Sequence, residues 1–254
     1  MSSLFRHAFE AVKDADLVLE IVDARFASFM RNPEMEQFLN RKKIPFIVVL
    51  NKMDLLHGKN PASEEFKEEE ILSIPICCVP KKNINRLRSL IFSRLEKGGK
   101  IAVIGYPNAG KSSVINALSG RHAAPTSKQA GFTRGKSFVK LKEDVYLIDT
   151  PGVIPIAEHD SFKLMLFNAK SVNQLKEVDV LAMELLEWLP THSYWKDWLV
   201  RTYGLSVRGD GDEQLEQLAR AWNKMQRGGV PDIHGAAIKL IQDWQHGIAP
   251  SEKK

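Results

Sequence analysis

Residues 100 to 112, KIAVIGYPNAGKS, constrain the fold of this chain more than any other stretch. An apolar run, KIAVIG, leads straight into G-x-x-x-x-G-K-S, a pattern that works only where a strand ends in a tight loop that opens a helix. The glycines let successive backbone N–H groups turn inward around phosphate oxygens, at a helix N-terminus whose dipole favours anions. From average residue usage, a chance match in a chain of this length is on the order of one in a hundred, and the strand before it lowers that further.

Other β-rich runs lie at Leu17 to Val22, Phe46 to Leu50, Ile74 to Val79 and Val145 to Ile148, beside Ile101 to Ile104. Helix-period segments separate several of them, which predicts an α/β domain with a mostly parallel sheet and helices on both faces. Ile84, Leu87, Leu90, Ile91 and Leu95 make one helical stripe over 84 to 95. After about residue 160 the strand signals stop. Leu215, Leu218, Ala219, Trp222 and Met225 form one stripe, and Ile233, Ala237, Leu240, Ile241 and Trp244 another. The expected organisation is a nucleotide-binding domain over 1–165 and a small all-α domain over 166–254. All five tryptophans, Trp188, Trp195, Trp198, Trp222 and Trp244, fall in the second part and read as core filling rather than as an RNA-stacking surface.

Composition narrows the class without choosing a partner. Hydrophobic and charged fractions of 44% and 26% are those of a globular protein, and a net charge of +5 admits a polyanionic partner without selecting one. Cys77 and Cys78 are adjacent and are the only cysteines. Their Cα atoms must sit ~3.8 Å apart, short of the ~4.4 Å at which ordinary disulfides begin, so reduced thiols on a buried strand are expected. Two neighbouring cysteines with scattered histidines do not make a zinc site. The apolar runs are strand-length and no apolar leader opens the chain, so no membrane role and a cytoplasmic location are expected.

The phosphate cradle is assigned to Asn108, Ala109, Gly110, Lys111, Ser112 and Ser113. Lys111 should reach the β- and γ-phosphates, and the Ser112 hydroxyl should hold Mg2+. DTPG, Asp149 to Gly152, comes after the strand VYLID, where a carboxylate can serve Mg2+ and a glycine N–H can meet the γ-phosphate. A second D-x-x-G match, DIHG at Asp232 to Gly235, lies in the helical part and reads as a turn and helix start. Thr133, in QAGFTRG between the phosphate loop and DTPG, is the candidate switch threonine, with a hydroxyl for Mg2+ and an N–H for the γ-phosphate. Lys111, Thr133 and Gly152 are therefore the catalytic candidates, and Ser112, Thr133 and Asp149 the Mg2+ ligands.

NKMD, residues 51 to 54, selects the base. The Asp54 carboxylate can accept from two adjacent donors, N1–H and an exocyclic amine, which guanine presents and adenine does not. Asn51 would pin the loop and the purine N7, and the aliphatic stem of Lys52 would pack on the base plane. Pro80 and Lys81, in Val79-Pro80-Lys81, are the candidate closing loop of the guanine site. The base reader thus precedes the phosphate reader. That order is the usual order of such motifs rotated, as when old termini are joined, here through the 84 to 95 helix, and new ones opened elsewhere.

These residues resemble the circularly permuted YlqF/RbgA-type GTPases involved in ribosome assembly. The resemblance runs nearly end to end, through DLVLEIVDAR, RNPEM, NKMD, GYPNAGKSS, DTPGV and RGGVPDIHGAAIKLIQDWQHG. It implies a circularly permuted P-loop GTPase domain with a helical C-terminal domain after it. It further implies a GTP/GDP switch that docks on the large ribosomal subunit or its rRNA and leaves after hydrolysis; a monomer is expected. The absence of a zinc site and of an N-terminal β-barrel pattern argues against the sister families linked to the small subunit.

Members usually carry a Pro-Gly-His-Met segment upstream of VDAR, and this chain starts after that point; His7 does not match its position. Val153 after DTPG cannot orient an attacking water as glutamine would, so slow intrinsic turnover, raised by a ribosomal partner, is expected. The resemblance assigns K+ binding to Asn108. The middle residue of the relatives' guanine-closing loop donates its N–H to the guanine carbonyl, whereas Pro80 has none, leaving Lys81 N–H as the substitute or guanine affinity reduced. Arg41, Lys42, Lys43, Arg86, Arg88, Arg134, Lys136, Lys140 and Lys142 are spread along the chain and read equally as RNA contacts or a solvated face. The alternative reading is a guanine-nucleotide-sensing scaffold for RNA or protein with negligible hydrolysis.

Overall fold

The computed structural model describes residues 9–56, 66, 69–120, 137–150, 160–192 and 195–247. The chain divides into two compact units, Met1–Glu158 and His159–Lys254.

The strands of the first unit are β1 (Leu17–Asp23), β2 (Phe46–Asn51), β3 (Ser73–Pro75), β4 (Cys77–Cys78), β5 (Lys81–Lys82), β6 (Gly99–Ile104), β7 (Ser137–Lys142) and β8 (Val145–Asp149). Six of them form one sheet in the order β3-β2-β1-β6-β8-β7, and β4 and β5 form a separate antiparallel ribbon. Every pairing in the large sheet is parallel except β7 with β8. All seven residues of β1 are buried, which is why five of them are aliphatic with no period-2 alternation, and its two acids, Glu20 and Asp23, are buried as well.

Among the described residues, the three helices of this unit that matter for the site are α1 (Pro33–Lys42), α2 (Ile84–Arg94) and α3 (Lys111–Ser119). In α1 the Asn32 side chain accepts from Met35 N–H at 3.1 Å, Pro33 stands in the first turn with Glu34 and Glu36, and Lys43 closes the end in a left-handed conformation. Caps and charges therefore agree with the helix dipole at both ends. Met35, Phe38 and Leu39 pack with Ala11 and Val12 against Val18 of β1 and Ala102 and Ile104 of β6. Helices α2 and α3 contact each other. The crossover through α1 runs from β1 outward to β2, whereas those through α2 and α3 run the opposite way along the sheet. Right-handed connections in opposite senses place their helices on opposite faces, so the sheet is covered on both sides.

The structure departs from the sequence expectations in two strands. The run Ile74 to Val79 is two strands: Ser73–Pro75 pairs with β2, while Cys77–Cys78 turns away to pair with Lys81–Lys82. The sheet also has an edge strand that no apolar run marks, β7. Val139 and Leu141 face inward while Lys140 and Lys142 are exposed, a short period-2 alternation of the kind an antiparallel edge shows.

The second unit comprises α4 (Ser161–Leu166), α5 (Val178–Thr191), α6 (Trp198–Tyr203), α7 (Gly211–Ala221) and α8 (Ile233–His246). Helix α4 packs on α5 and α8, so the division falls before this helix instead of at the boundary 165/166 read from the sequence. DIHG starts α8, with Asp232 Oδ1 accepting from Gly235 N–H at 3.0 Å. Trp244, 1% exposed, is the centre of an aromatic core, with ring centroids of Trp195, Trp198 and Trp188 at 4.9, 5.2 and 6.0 Å in edge-on arrangements. Its indole N–H donates to Leu166 C=O at 3.0 Å. Trp222 reaches this cluster through Tyr203, 4.9 Å away. Met225 lies past the end of α7, in a bridge to Pro231, and is 39% exposed, so the stripe that runs to 225 in the sequence ends with the helix. Among the described residues no helix is long and apolar enough to cross a membrane.

Candidate functional site

Opposite crossover senses meet between β1 and β6, and in open α/β sheets ligands bind at such a switch point, outside the carboxyl ends of the strands. Those ends carry Asp23 on β1, Asn51 on β2, the loop after Ile104 on β6 and Asp149 on β8. Four motifs scattered over 127 positions of sequence, from Asp23 to Asp149, therefore share one edge of the sheet.

The loop between β6 and α3 turns on two glycines. Gly105 has φ +143°, and a Cβ there would lie 2.2 Å from Ile21 C=O in β1; Gly110 has φ +98°, and a Cβ there would lie 2.2 Å from Asn51 Nδ2. The backbone thus approaches its neighbours more closely than any side chain allows. Lys111 opens α3 and is 8% exposed. Its ammonium donates to Tyr106 C=O at 2.8 Å and Gly105 C=O at 3.1 Å, so it lies back across the loop it closes. Burial pulls its pKa down to about 8, against the attraction of the Asp149 carboxylate. Burial pushes Asp149 up, and Lys111 opposes that. Thr150 Oγ1 donates to Val103 C=O at 2.6 Å, fastening the strand end that carries Asp149 to β6. Ser112 and Ser113 are exposed on the first turn of α3, and Asn108 takes a left-handed φ of 58°.

Asn51 joins two loops at this edge. Its Nδ2 donates to Ala109 C=O at 3.0 Å, so the NKMD loop is bonded to the loop between β6 and α3 across 58 residues of sequence. Lys52 comes next in a left-handed conformation, and its ammonium pairs with Asp23 Oδ2 at 2.9 Å. Arg25 grips the same carboxylate, with its backbone N–H and Nε donating to Oδ1 at 3.1 and 3.0 Å and NH2 to Oδ2 at 2.8 Å. Burial alone would raise the Asp23 carboxyl, but Arg25 and Lys52 hold it well below the usual carboxylate range. A buried anion with two cations and four donors fixes where Lys52 lies, and with it the aliphatic stem expected to cover a base.

Asp54 is exposed at the end of this loop, and Cys77 Sγ donates to its Oδ1 at 2.9 Å. Cys78 Sγ lies 3.5 Å from Asn51 Oδ1. Pro80 and Lys81 are exposed, at the turn and on the second strand of the ribbon. Asp23, Arg25, Cys77 and Cys78 meet the candidate residues here, although the sequence analysis assigned none of them a place in the site. An acid and an arginine two residues apart at a strand end, in VDAR, carry the visible signal for the first pair. Adjacent cysteines carry no such signal. Thr133 and Gly152, with Arg134, Lys136 and Val153, lie outside the described residues.

A family model described as the RsgA GTPase matches residues 17–157, more than half of the chain. The chain belongs to the circularly permuted GTPases. A second model, described as a 50S ribosome-binding GTPase, matches residues 100–224. Among curated proteins, the chain is 29% identical over 243 residues to an uncharacterized GTP-binding protein of Methanocaldococcus jannaschii, covering 93% of the chain and 63% of that protein. It is 30% identical over 262 residues to nucleolar GTP-binding protein 2 of Neurospora crassa, covering 97% and 41%. The chain thus spans roughly half the length of the curated relatives it matches. The fold of this permuted GTPase is that of YlqF from T. maritima: the structure described as GNP-bound superposes with TM-score 0.68 over 97% of this chain and 94% of that one, at 22% identity.

Proposed function

We propose that this permuted GTPase binds and hydrolyses GTP as a molecular switch and assists assembly of the ribosome, acting on the large subunit or its rRNA. The observation that carries the nucleotide half is the Asn51 bond to Ala109, which locks a base reader to a phosphate cradle at one switch point. The ribosomal half is supported by the 50S ribosome-binding model over 100–224 and by the nucleolar GTP-binding relatives.

In this reading the α3 N-terminus and Lys111 take the β- and γ-phosphates, Asp54 reads guanine and Lys52 covers it. Ser112 and Asp149 supply one hydroxyl and one carboxylate, a hard oxygen set that fits Mg2+, with Thr133 a further ligand by sequence position. Bound Mg2+ would neutralise phosphate charge there. Lys111 would stabilise charge developing on the γ-phosphate, and Gly152 and Thr133 would sense that phosphate by their backbone N–H groups. Asn108 is the proposed K+ ligand. Pro80 lacks the N–H that would meet the guanine carbonyl, so Lys81 would donate in its place. The protein would act as a monomer, in the compartment where ribosomal precursors mature.

The test is the steady-state rate of GTP hydrolysis in KCl and in NaCl, with and without purified large ribosomal subunits. Slow turnover that potassium and the subunit both raise is expected. A flat, near-zero rate with GTP still bound would replace the enzyme by a guanine-nucleotide-sensing scaffold.

A further inference from the structure

Apart from the proposed nucleotide chemistry, the first unit buries an acid that has too few donors. Glu20 lies in the middle of β1 and is 1% exposed. Its Oε1 accepts from Asn32 N–H at 2.7 Å, whereas its Oε2 has no hydrogen-bond donor among the described residues. A buried carboxylate left short of donors costs more than one that keeps its proton.

The start of α1 faces this acid. Glu36, 7% exposed, lies within hydrogen-bonding reach of the Glu20 carboxyl, and both of its oxygens already accept from Arg31, from Nε at 2.8 Å and from NH2 at 2.7 Å. Arg31 also pairs with Glu69 and lies over the Phe66 ring. Glu36 is therefore the ionised member, and an O–H on Glu20 supplies the donor that a contact between two carboxyl groups requires. Burial first, and then the Glu36 carboxylate, push the Glu20 carboxyl well above the usual carboxylate range, against the pull of Asn32 N–H and the Arg31 guanidinium. The residues paired with Glu20 on the neighbouring strands, Val48 and Ile104, carry no charge.

We propose that Glu20 and Glu36 share one proton, and that this acid–carboxylate bond is a pH-sensitive clasp holding the start of α1, and the loop before it, against β1. Its place gives it a consequence for the site. Glu20 pairs with Ile104, one residue before Gly105, and Glu20, Met30 and Asn32 line one small cavity with Gly105 and Tyr106 of the phosphate loop. Loss of the proton leaves two buried carboxylates with one guanidinium to share, and their repulsion loosens the segment from Asn32 to Glu36 beside that loop.

The sign of the pH dependence follows. In the unfolded chain Glu20 loses its proton near pH ~4.3, whereas the native chain holds it to higher pH. Between those two values the native state binds one proton more, so stability falls as pH rises, by up to about tenfold in the folding equilibrium per pH unit, until native Glu20 ionises.

Denaturant unfolding of the whole chain between about pH 5 and 8.5 tests this on wild type, Glu20→Gln and Glu36→Gln, with amide exchange over Asn32 to Glu36 followed in parallel. Glutamine at position 20 keeps a carbonyl for Asn32 N–H and a donor for Glu36, and has no proton to lose. The expected result is that Glu20→Gln gains on wild type as pH rises from about 5, approaching tenfold in the folding equilibrium over the first pH unit, and keeps the amide protection that wild type loses toward high pH. Glu36→Gln, which removes the neighbouring charge, should show a shallower fall than wild type. A merely structural glutamate would shift stability equally at every pH. Parallel profiles for wild type and Glu20→Gln overturn the shared proton, and so does a Glu20→Gln protein unfolded at every pH, because a neutral isostere then fails where the proposal has a neutral acid. A fall in Glu36→Gln as steep as in wild type removes Glu36 from the pair, and unchanged amide protection over Asn32 to Glu36 overturns the clasp.

Discussion

At the scale of single residues, the site stores its charges in arrangements that anticipate a ligand. Lys111 makes do with two backbone carbonyls, which is poor solvation for an ammonium, and burial takes its pKa down to about 8. Phosphate oxygens arriving at that group favour its charged form and must raise the value. Below about pH 7 the lysine is therefore already protonated and nucleotide affinity is flat, whereas above about pH 8 binding must take up a proton and affinity falls, by up to about tenfold per pH unit. Calorimetry of GDP binding between about pH 7 and 8.5, in buffers of differing ionisation enthalpy, should show uptake growing with pH in wild type and vanishing in Lys111→Met, which should also bind far more weakly. Uptake absent from wild type would mean that the phosphates do not meet Lys111. The residue hardest to foresee at this scale is Cys77, because a hydrogen-bond partner 23 positions away leaves no trace in local spacing; for Asp23 the local pairing with Arg25 is visible in VDAR and only the partner 29 positions away, Lys52, is not.

At the scale of elements, the phosphate loop depends on how closely β1 and β6 run. Glu20 pairs with Ile104 at the last rung of that ladder, and one residue later Gly105 passes Ile21 C=O with no room for a Cβ. Gly105→Ala should therefore force the loop away from β1, costing about 2 kcal/mol or more from φ strain and overlap together, and should abolish GDP binding. Denaturant unfolding and a GDP titration check it; an alanine variant with wild-type stability and affinity would show that the loop is not held against β1. The glycine pattern is plain in the sequence, and so is the helix start at Asp232, since caps and turns depend on a few neighbouring residues. The split of the Ile74 to Val79 run is not, because both halves are equally apolar and only the hydrogen bonds each finds distinguish them.

At the scale of the whole molecule, permutation changes which elements are joined. Asp149 of DTPG ends β8, and the chain then passes, through residues 151–159, into the first helix of the second unit. In the order expected of unpermuted motifs this stretch would lead back into the same domain. A γ-phosphate sensed there has one short connection to the helical unit, so the bound nucleotide should alter that unit's dynamics. Hydrogen exchange over α4 to α8 is expected to differ between GDP and a non-hydrolysable GTP analogue. Equal protection throughout would mean that the helical unit does not register the nucleotide.

The amino-acid sequence by itself determined the class of fold, the permuted order and the division into a sheet-bearing and a helical part. Those come from periodicity, from glycine spacing and from motif order, all of which are local or linear properties. Only the tertiary structure decided which groups meet: Asn51 on Ala109, Asp23 between Arg25 and Lys52, Cys77 on Asp54, and the tryptophans around Trp244. The physical reason is that such contacts are set by strand order and by the direction of each crossover, and a hydrogen bond between distant residues depends on where the sheet puts their strand ends, whatever their own neighbours are.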